Sequence, residues 1–212
     1  MSASPESASL PDPDQLREAI TSGDPMRALP SLARLREFPD SANGSVVVPL
    51  LILGTEQTAF VVRSLSCSGL GMRRNEEGWA VLSRLVVDDP DANVRAEAAN
   101  ALASFGIERS WPLLHQRFEV DHAWLVRCSI LSALAEQPAI DPAWLLQIAE
   151  LAIADADGTV RVGGAEILGR LVQERMAAEP ADAARVLLQG LQGDSDHRVV
   201  AAALNGLQSM RS

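Results

Sequence analysis

Residues 91–106 read DANVRAEAANALASFG, a stretch that predicts one amphipathic helix with a defined start and stop. Asp91 can cap the N-terminus, because its side-chain oxygen can accept hydrogen bonds from free backbone N–H groups. Gly106 can adopt the left-handed conformation that ends a helix. The apolar residues between them recur at helical spacing and fall on one face; they are Val94, Ala98, Ala101, Leu102 and Phe105.

The same phrase returns along the chain, which indicates a repeat fold. Five valines, 32, 32, 34 and 39 residues apart, mark equivalent places: Val62, Val94, Val126, Val160 and Val199. Another predicted helix precedes each phrase, so the repeating unit is a helical hairpin. Paired helices with a period in the thirties are typical of a solenoid, in which each hairpin buries its apolar face against the next.

We therefore predict an all-α, right-handed solenoid of about five hairpins, with one domain spanning residues 14–212. Helices over 14–43 are expected to form an N-terminal cap, the repeats to fill 44–212, and the Ser/Pro/Asp-rich residues 1–13 to form a disordered tail. First helices are expected at about 45–53, 76–87, 110–118, 142–153 and 181–191. Second helices are expected at about 57–70, 91–105, 123–135, 158–171 and 196–207.

A charged row accompanies the valines. The residue after the valine is Arg63, Arg95, Arg127 or Arg161 in four repeats, and Val200 in the last. Aspartates stand three residues before three of the valines: Asp91, Asp157 and Asp196. Each of these aspartates can cap its own helix and also accept the guanidinium of a neighbouring repeat. Because a guanidinium can bridge a carboxylate and carbonyl oxygens together, we expect these arginines and aspartates to form contacts between adjacent repeats.

Composition restricts the function. The net charge of −10 argues against nucleic acid and against a polybasic membrane contact. All 18 basic residues are arginine, so neither a phosphate-loop lysine nor a Schiff-base lysine can exist. No apolar run is long enough to span a bilayer, and the acidic N-terminus does not resemble a signal peptide. We interpret the protein as cytoplasmic.

The repeats resemble the HEAT-repeat superfamily. The D-x-x-V-R phrases are most similar to the phycobilin-lyase HEAT-like repeats of cyanobacteria, over residues 44–208. Two phrases, DPDANVRAEAANALASFG and ADADGTVRVGGAEILG, are also similar to a cyanobacterial single-chain HEAT protein that is a partner of an A-type iron–sulfur scaffold. Another branch binds two irons through His-Glu pairs, which this sequence lacks.

The resemblance implies a non-catalytic scaffold that binds a protein partner on the concave side, which the second helices line. We expect a monomer or heteromer with no resident cofactor, acting in iron–sulfur biogenesis. The alternative is a phycobilin lyase subunit, or a factor for phycobilisome maturation or degradation. A phycobiliprotein would then be the partner, and a bilin or cluster would be bound transiently.

Candidate binding residues are those that alternate away from the apolar stripe of the second helices. They are Glu97, Asn100, Ser129, Ser132, Glu166 and Asn205, with Trp124 as an exposed aromatic anchor. Cys67 and Cys128 are weak candidates for a ligand or redox role, because they fit no metal-binding spacing and packing explains them better. Arg73 and Arg74 are expected in a solvent-facing loop.

Overall fold

A computed structural model describes residues 10–174 and 176–208. Within these ranges the regular structure is helical throughout, and the chain divides into two compact units, residues 1–101 and 102–212. The first unit holds α1 (Pro13–Ile20), α2 (Pro25–Arg34), α3 (Val48–Thr55), α4 (Phe60–Arg73) and α5 (Glu76–Asp88), and most of α6 (Ala92–Ala103). The second holds α7 (Ile107–Val120), α8 (Trp124–Ala135), α9 (Pro142–Ile153), α10 (Gly158–Gln173), α11 (Ala178–Leu191) and α12 (His197–Leu207). The predicted all-α class is confirmed.

The N-terminal helices start where short polar side chains cap them. Asp12 accepts from the Asp14 N–H at 3.0 Å, and Asp24 accepts from the Met26 N–H at 2.9 Å. Residues 1–9 of the predicted tail lie outside the described residues. In the first unit α1 packs on α3, and α2 packs on α4, so the first two helices stack as a further hairpin.

Four helix starts lie three residues away from their predicted positions. The helices expected at residues 57 and 181 begin at Phe60 and Ala178. The helix expected at residue 45 begins at Val48 and follows a π-helical turn, Asn43–Val47. The helix expected at residue 110 begins at Ile107, directly after Gly106, whose φ of 107° turns the chain sharply. Pro112 consequently lies inside α7, beyond its first turn.

The second unit has two layers of helices. The second helices of the hairpins, α8, α10 and α12, lie side by side, and the first helices α9 and α11 lie against each other. Between α7 and α9, the rings of Trp111 and Trp144 stack with centroids 5.1 Å apart and an interplanar angle of 4°. Aromatic area buried in this way strengthens packing between first helices.

The five repeated valines occupy one structural position. Each is the third residue of its second helix, and each is at most 1% exposed: Val62, Val94, Val126, Val160 and Val199. Burial of a valine contributes roughly 1.5–3 kcal/mol. The valine thus fixes the first turn of every second helix in the core, as the sequence spacing predicts.

The neighbouring second helices α10 and α12 approach each other closely where both carry glycine. A Cβ added to Gly169 of α10 would lie 2.9 Å from the Cα atom of Gly206 in α12. Such a contact is shorter than carbon atoms tolerate, and the obstacle is backbone rather than a movable side chain.

We expect Gly169→Ala to lower the free energy of unfolding by about 1–3 kcal/mol, because α10 and α12 must move apart. Gly190→Ala in α11 is the matched control, since a Cβ there meets nothing within 4 Å. That variant should be neutral or slightly stabilising, because alanine favours a helix over glycine. Denaturant unfolding measures both, and equal stabilities of the two variants would contradict the close approach.

Candidate functional site

Within the two units, three repeat boundaries are each joined by an arginine from the first turn of a second helix. In the first unit, Arg63 reaches Asp89 of the next repeat, with Nε 2.8 Å from Oδ2 and Nη2 2.9 Å from Oδ1. Its Nη1 donates to the carbonyl oxygens of Gln57 and Thr58, at 3.0 and 2.7 Å, in the turn before its own helix. One guanidinium therefore satisfies its own turn and the neighbouring carboxylate together.

The second unit repeats this arrangement. Arg161 contacts both oxygens of Asp194, at 2.9 and 3.0 Å, and donates to the Asp155 carbonyl oxygen at 3.0 Å. Arg127 places Nε 2.7 Å from Asp155 Oδ2 and donates from Nη1 to the Asp121 carbonyl oxygen at 2.6 Å. In the first unit, Arg95 likewise donates to the Asp89 carbonyl oxygen at 2.9 Å.

The carboxylates that accept these arginines lie two residues earlier than the sequence prediction placed them. Asp91, Asp157 and Asp196 instead accept the backbone N–H two residues later, at 2.8, 2.7 and 2.9 Å, and so cap their own helices. A helix N-terminus offers free N–H groups to the nearest carboxylate, which explains their capture. The arginine acceptors, Asp89, Asp155 and Asp194, form D-x-D pairs with the caps, and that pattern could have identified them.

Hydrogen bonds between arginine and aspartate shift the pKa values of both partners in favour of their charged forms. A hydrogen bond from Arg161 is the main cause that holds the pKa of Asp194 below its ordinary value, and the same bond raises the pKa of Arg161. At the last repeat, hydrogen bonds from Arg198 lower the pKa of Asp196 to about 2. These carboxylates remain charged at neutral pH.

Two further arginines bind the opposite, C-terminal ends of the second helices. Arg73 donates to the carbonyl oxygens of Leu35 and Phe38, at 2.9 and 3.0 Å, and Arg170 donates to those of Ala135 and Gln137, at 2.7 and 3.2 Å. The placement of Arg73 in a solvent-facing loop is wrong, because its side chain is only 13% exposed. Carbonyl oxygens left free at a helix end attract a cation, and this role was missed in the sequence.

Between these two rows, the middle of the second-helix face carries two adjoining depressions in the second unit. The first, of about 400 Å³, lies between α8 and α10 and has an apolar floor that includes Leu131, Val162 and Ile167. The second, of about 330 Å³, lies between α10 and α12 and is lined by Gln173, Glu174 and Asn205 together with small residues. Glu166 and Arg170 line both depressions, so they stand on the ridge between them.

The structure places the predicted binding residues in different surroundings. Ser132, Glu166 and Asn205 are exposed and line the depressions. Ser129 is half-buried on α8, and Trp124, at the start of that helix, is 49% exposed. In the first unit, Glu97 is half-buried and Asn100 is exposed. The binding role of all seven residues stays a prediction.

The cysteines have raised pKa values. Cys67 is fully buried, and burial, followed by the charge of Glu97, raises its pKa to about 12. Cys128 is half-buried and lines the first depression; burial and then Asp157 raise its pKa, with a smaller contribution from Glu166. Both thiols are therefore poorly disposed to ionise. Over residues 10–174 and 176–208, no group of three or more His, Cys, Asp or Glu side chains is arranged to hold a metal ion.

Comparison with known proteins agrees with the hairpin repeats. The family profile described as HEAT repeats matches residues 48–135. No curated protein sequence is significantly similar. Among the described helices, none is both long enough and apolar enough to cross a membrane.

Solved structures are similar in fold alone. Escherichia coli YibA is 18% identical, with a TM-score of 0.63 over 93% of this chain and 70% of YibA. A computationally designed armadillo repeat protein for modular peptide recognition is 15% identical, with a TM-score of 0.51 over 92% of this chain and 98% of the design. The CpcE–CpcF complex of phycocyanin lyase from Nostoc sp. PCC7120 is 16% identical, over 92% of this chain and 98% of that chain, and its TM-score of 0.40 is too low to carry an argument.

Arg127→Ala should lower the free energy of unfolding by about 1–3 kcal/mol, because Asp155 and the Asp121 carbonyl oxygen each lose a charged donor. Arg185→Ala is the control, since Arg185 is half-exposed and, in the described part of the chain, pairs only with the exposed Asp182. We expect its effect to stay within about 0.5 kcal/mol. Thermal unfolding compares the two variants, and an unchanged midpoint for Arg127→Ala would exclude a stabilising row.

Asp194→Asn should change how the free energy of unfolding depends on pH. The pKa of Asp194 is depressed in the folded protein, so its contribution is fully present above about pH 4 and is lost as the pH falls through the folded pKa. The variant should be less stable than the parent at pH 7 and should lose less stability between about pH 5 and pH 2. Urea unfolding across this range measures the difference, and parallel curves would contradict the assignment.

Proposed function

We propose that this protein is a non-catalytic scaffold that binds a segment of a protein partner on the second-helix face. The observation that carries this proposal is the pair of adjoining depressions on either side of α10, with 400 and 330 Å³ of space. Depressions with an apolar floor and a few polar groups at the rim are the usual form of a binding site.

The side chains around these depressions suit a polypeptide. Ser132 and Asn205 are exposed at the same register of α8 and α12, and Glu166 occupies that register on α10. Hydroxyl, amide and carboxylate groups can accept from backbone N–H groups, and the hydroxyl and amide can also donate to carbonyl oxygens. A row of such groups on parallel helices provides repeated contacts for an extended chain.

The positions of the two arginine rows support binding at the depressions, because the arginines that join the repeats lie at the ends of the second helices. Arg127 and Arg161 bond at the N-terminal ends of the second helices, and Arg170 bonds at a C-terminal end. Among the exposed side chains that line the depressions, those of Ser132 and Glu166 join neither row, so substitution there can change binding without removing an inter-repeat bond. Gln173, in contrast, donates to the Asn205 carbonyl oxygen at 2.9 Å and so links α10 to α12.

The resemblance of the phrases DPDANVRAEAANALASFG and ADADGTVRVGGAEILG to a cyanobacterial HEAT protein makes an A-type iron–sulfur scaffold the first partner to test, in cofactor biogenesis. A phycobiliprotein is the second, for a role as a lyase subunit or in phycobilisome maturation or degradation. Purification from a bilin-producing host separates these roles. A lyase subunit should carry colour and transfer it to an apo-phycobiliprotein, whereas a partner of the scaffold should stay colourless and co-purify with a small cluster carrier.

Ser132→Trp tests the site directly, because an indole at this exposed position fills the first depression. Gln147→Trp is the matched control, on the exposed side of first helix α9. Affinity capture from a native-host extract, quantified by mass spectrometry, should lose the partner at least fivefold with Ser132→Trp and retain it with Gln147→Trp. Circular dichroism establishes that both variants fold, and equal capture by folded variants would refute this binding face.

A further inference from the structure

The two depressions differ in chemistry, and this difference defines what can occupy them. Leu131, Val162 and Ile167 give the first an apolar floor. The second contains no large apolar side chain among its described lining and carries Glu166, Glu174 and the amides of Gln173 and Asn205. An apolar side chain gains free energy by leaving water for the first depression, and a cation is favoured beside the carboxylates of the second.

The charge of the ridge is negative once the existing bonds are counted. Arg170 is committed to the carbonyl oxygens of Ala135 and Gln137 and, through Nε at 3.0 Å, to Glu174 Oε2. Glu166 is exposed and makes neither a hydrogen bond nor an ion pair with any other side chain in the described residues. No described residue therefore provides its carboxylate with a bonded counterion, in a chain whose net charge is −10.

The separation of the depressions sets the spacing of the side chains that could fill them. They adjoin across one helix, and packed helices lie about 8–10 Å apart. In a polyproline II segment, side chains three residues apart point the same way and are about 9 Å apart. Same-face side chains in a β-strand are about 7 or 13 Å apart, which fits less well.

We propose that the second-helix face binds a basic, extended segment of a protein partner, with an apolar side chain in the first depression and an arginine or lysine three residues away beside Glu166. This inference rests on the proposed function and adds the chemistry of the partner. The guanidinium or ammonium group bonds the Glu166 carboxylate and the Asn205 side-chain oxygen. Arg170 holds the end of α8 in place beneath the segment.

The experiment selects binders from a displayed library of random dodecapeptides on the full chain, with Glu166→Gln and Glu150→Gln tested in parallel. Glu150 is an exposed glutamate on α9, so its variant changes the net charge by the same amount away from the depressions. Selected peptides should share an apolar residue and a basic residue three apart, in either order. Their affinity should fall on the order of tenfold with Glu166→Gln, as loss of one charge-assisted hydrogen bond predicts, and stay unchanged with Glu150→Gln.

The possible failures are distinguishable. Selected peptides without a basic residue, or equal effects of the two variants, would overturn this inference while leaving a peptide-binding face in place. Selection that enriches no peptide, together with partner capture unaffected by Ser132→Trp, would overturn the proposed function itself. Acidic peptides that bind more tightly to Glu166→Gln would reverse the assigned charge of the partner and so refute the inference.

Discussion

A guanidinium shared across the repeat boundary is the interaction on which the rest of the structure depends. Where hairpins meet, the turn before each second helix leaves carbonyl oxygens that the helices themselves cannot satisfy. Arg63 and Arg161 each donate to two such oxygens and also to both oxygens of a carboxylate in the next repeat. A lysine ammonium could not cover this planar arrangement, since its three donors do not form a fork. Apolar stacking drives the hairpins together, and the arginine sets the register between them.

Because the arginines bond at the helix ends, a second helix can have structural residues at its ends and exposed residues in its middle turns. In α8 the first turn carries the buried Val126 and Arg127, while the last residue, Ala135, offers its carbonyl oxygen to Arg170. The exposed middle turns take part in neither network. The polar side chains found there are therefore available for recognition, and a repeat fold can change its ligand without changing the bonds that hold it together.

The helices could be predicted from the spacing of the valines, because a period of 32–39 residues depends only on local pattern. The carboxylates that accept the arginines were predicted two residues too late, since Asp91 and Asp89 are both suitable acceptors and only the path of the turn decides between them. Arg73 was predicted to be a surface charge, because the carbonyl oxygens that it binds are 35 and 38 residues away along the chain. Among the candidate residues, Ser132, Glu166 and Asn205 could be placed by helical register alone. The division between an apolar and a carboxylate-lined depression required the structure, because it depends on which side chains face each other across α10.

The close approach of Gly169 in α10 and Gly206 in α12 limits which residues of the second depression can change. Because Gly169 and Gly206 bring two main chains into contact, both line the second depression as bare peptide backbone. A ligand side chain in this depression would contact backbone that substitution cannot readily change, since any residue larger than glycine would separate the helices. Diversification of specificity in related chains with this pair would then fall on the rim, at Gln173, Glu174 and Asn205, while the floor stayed constant.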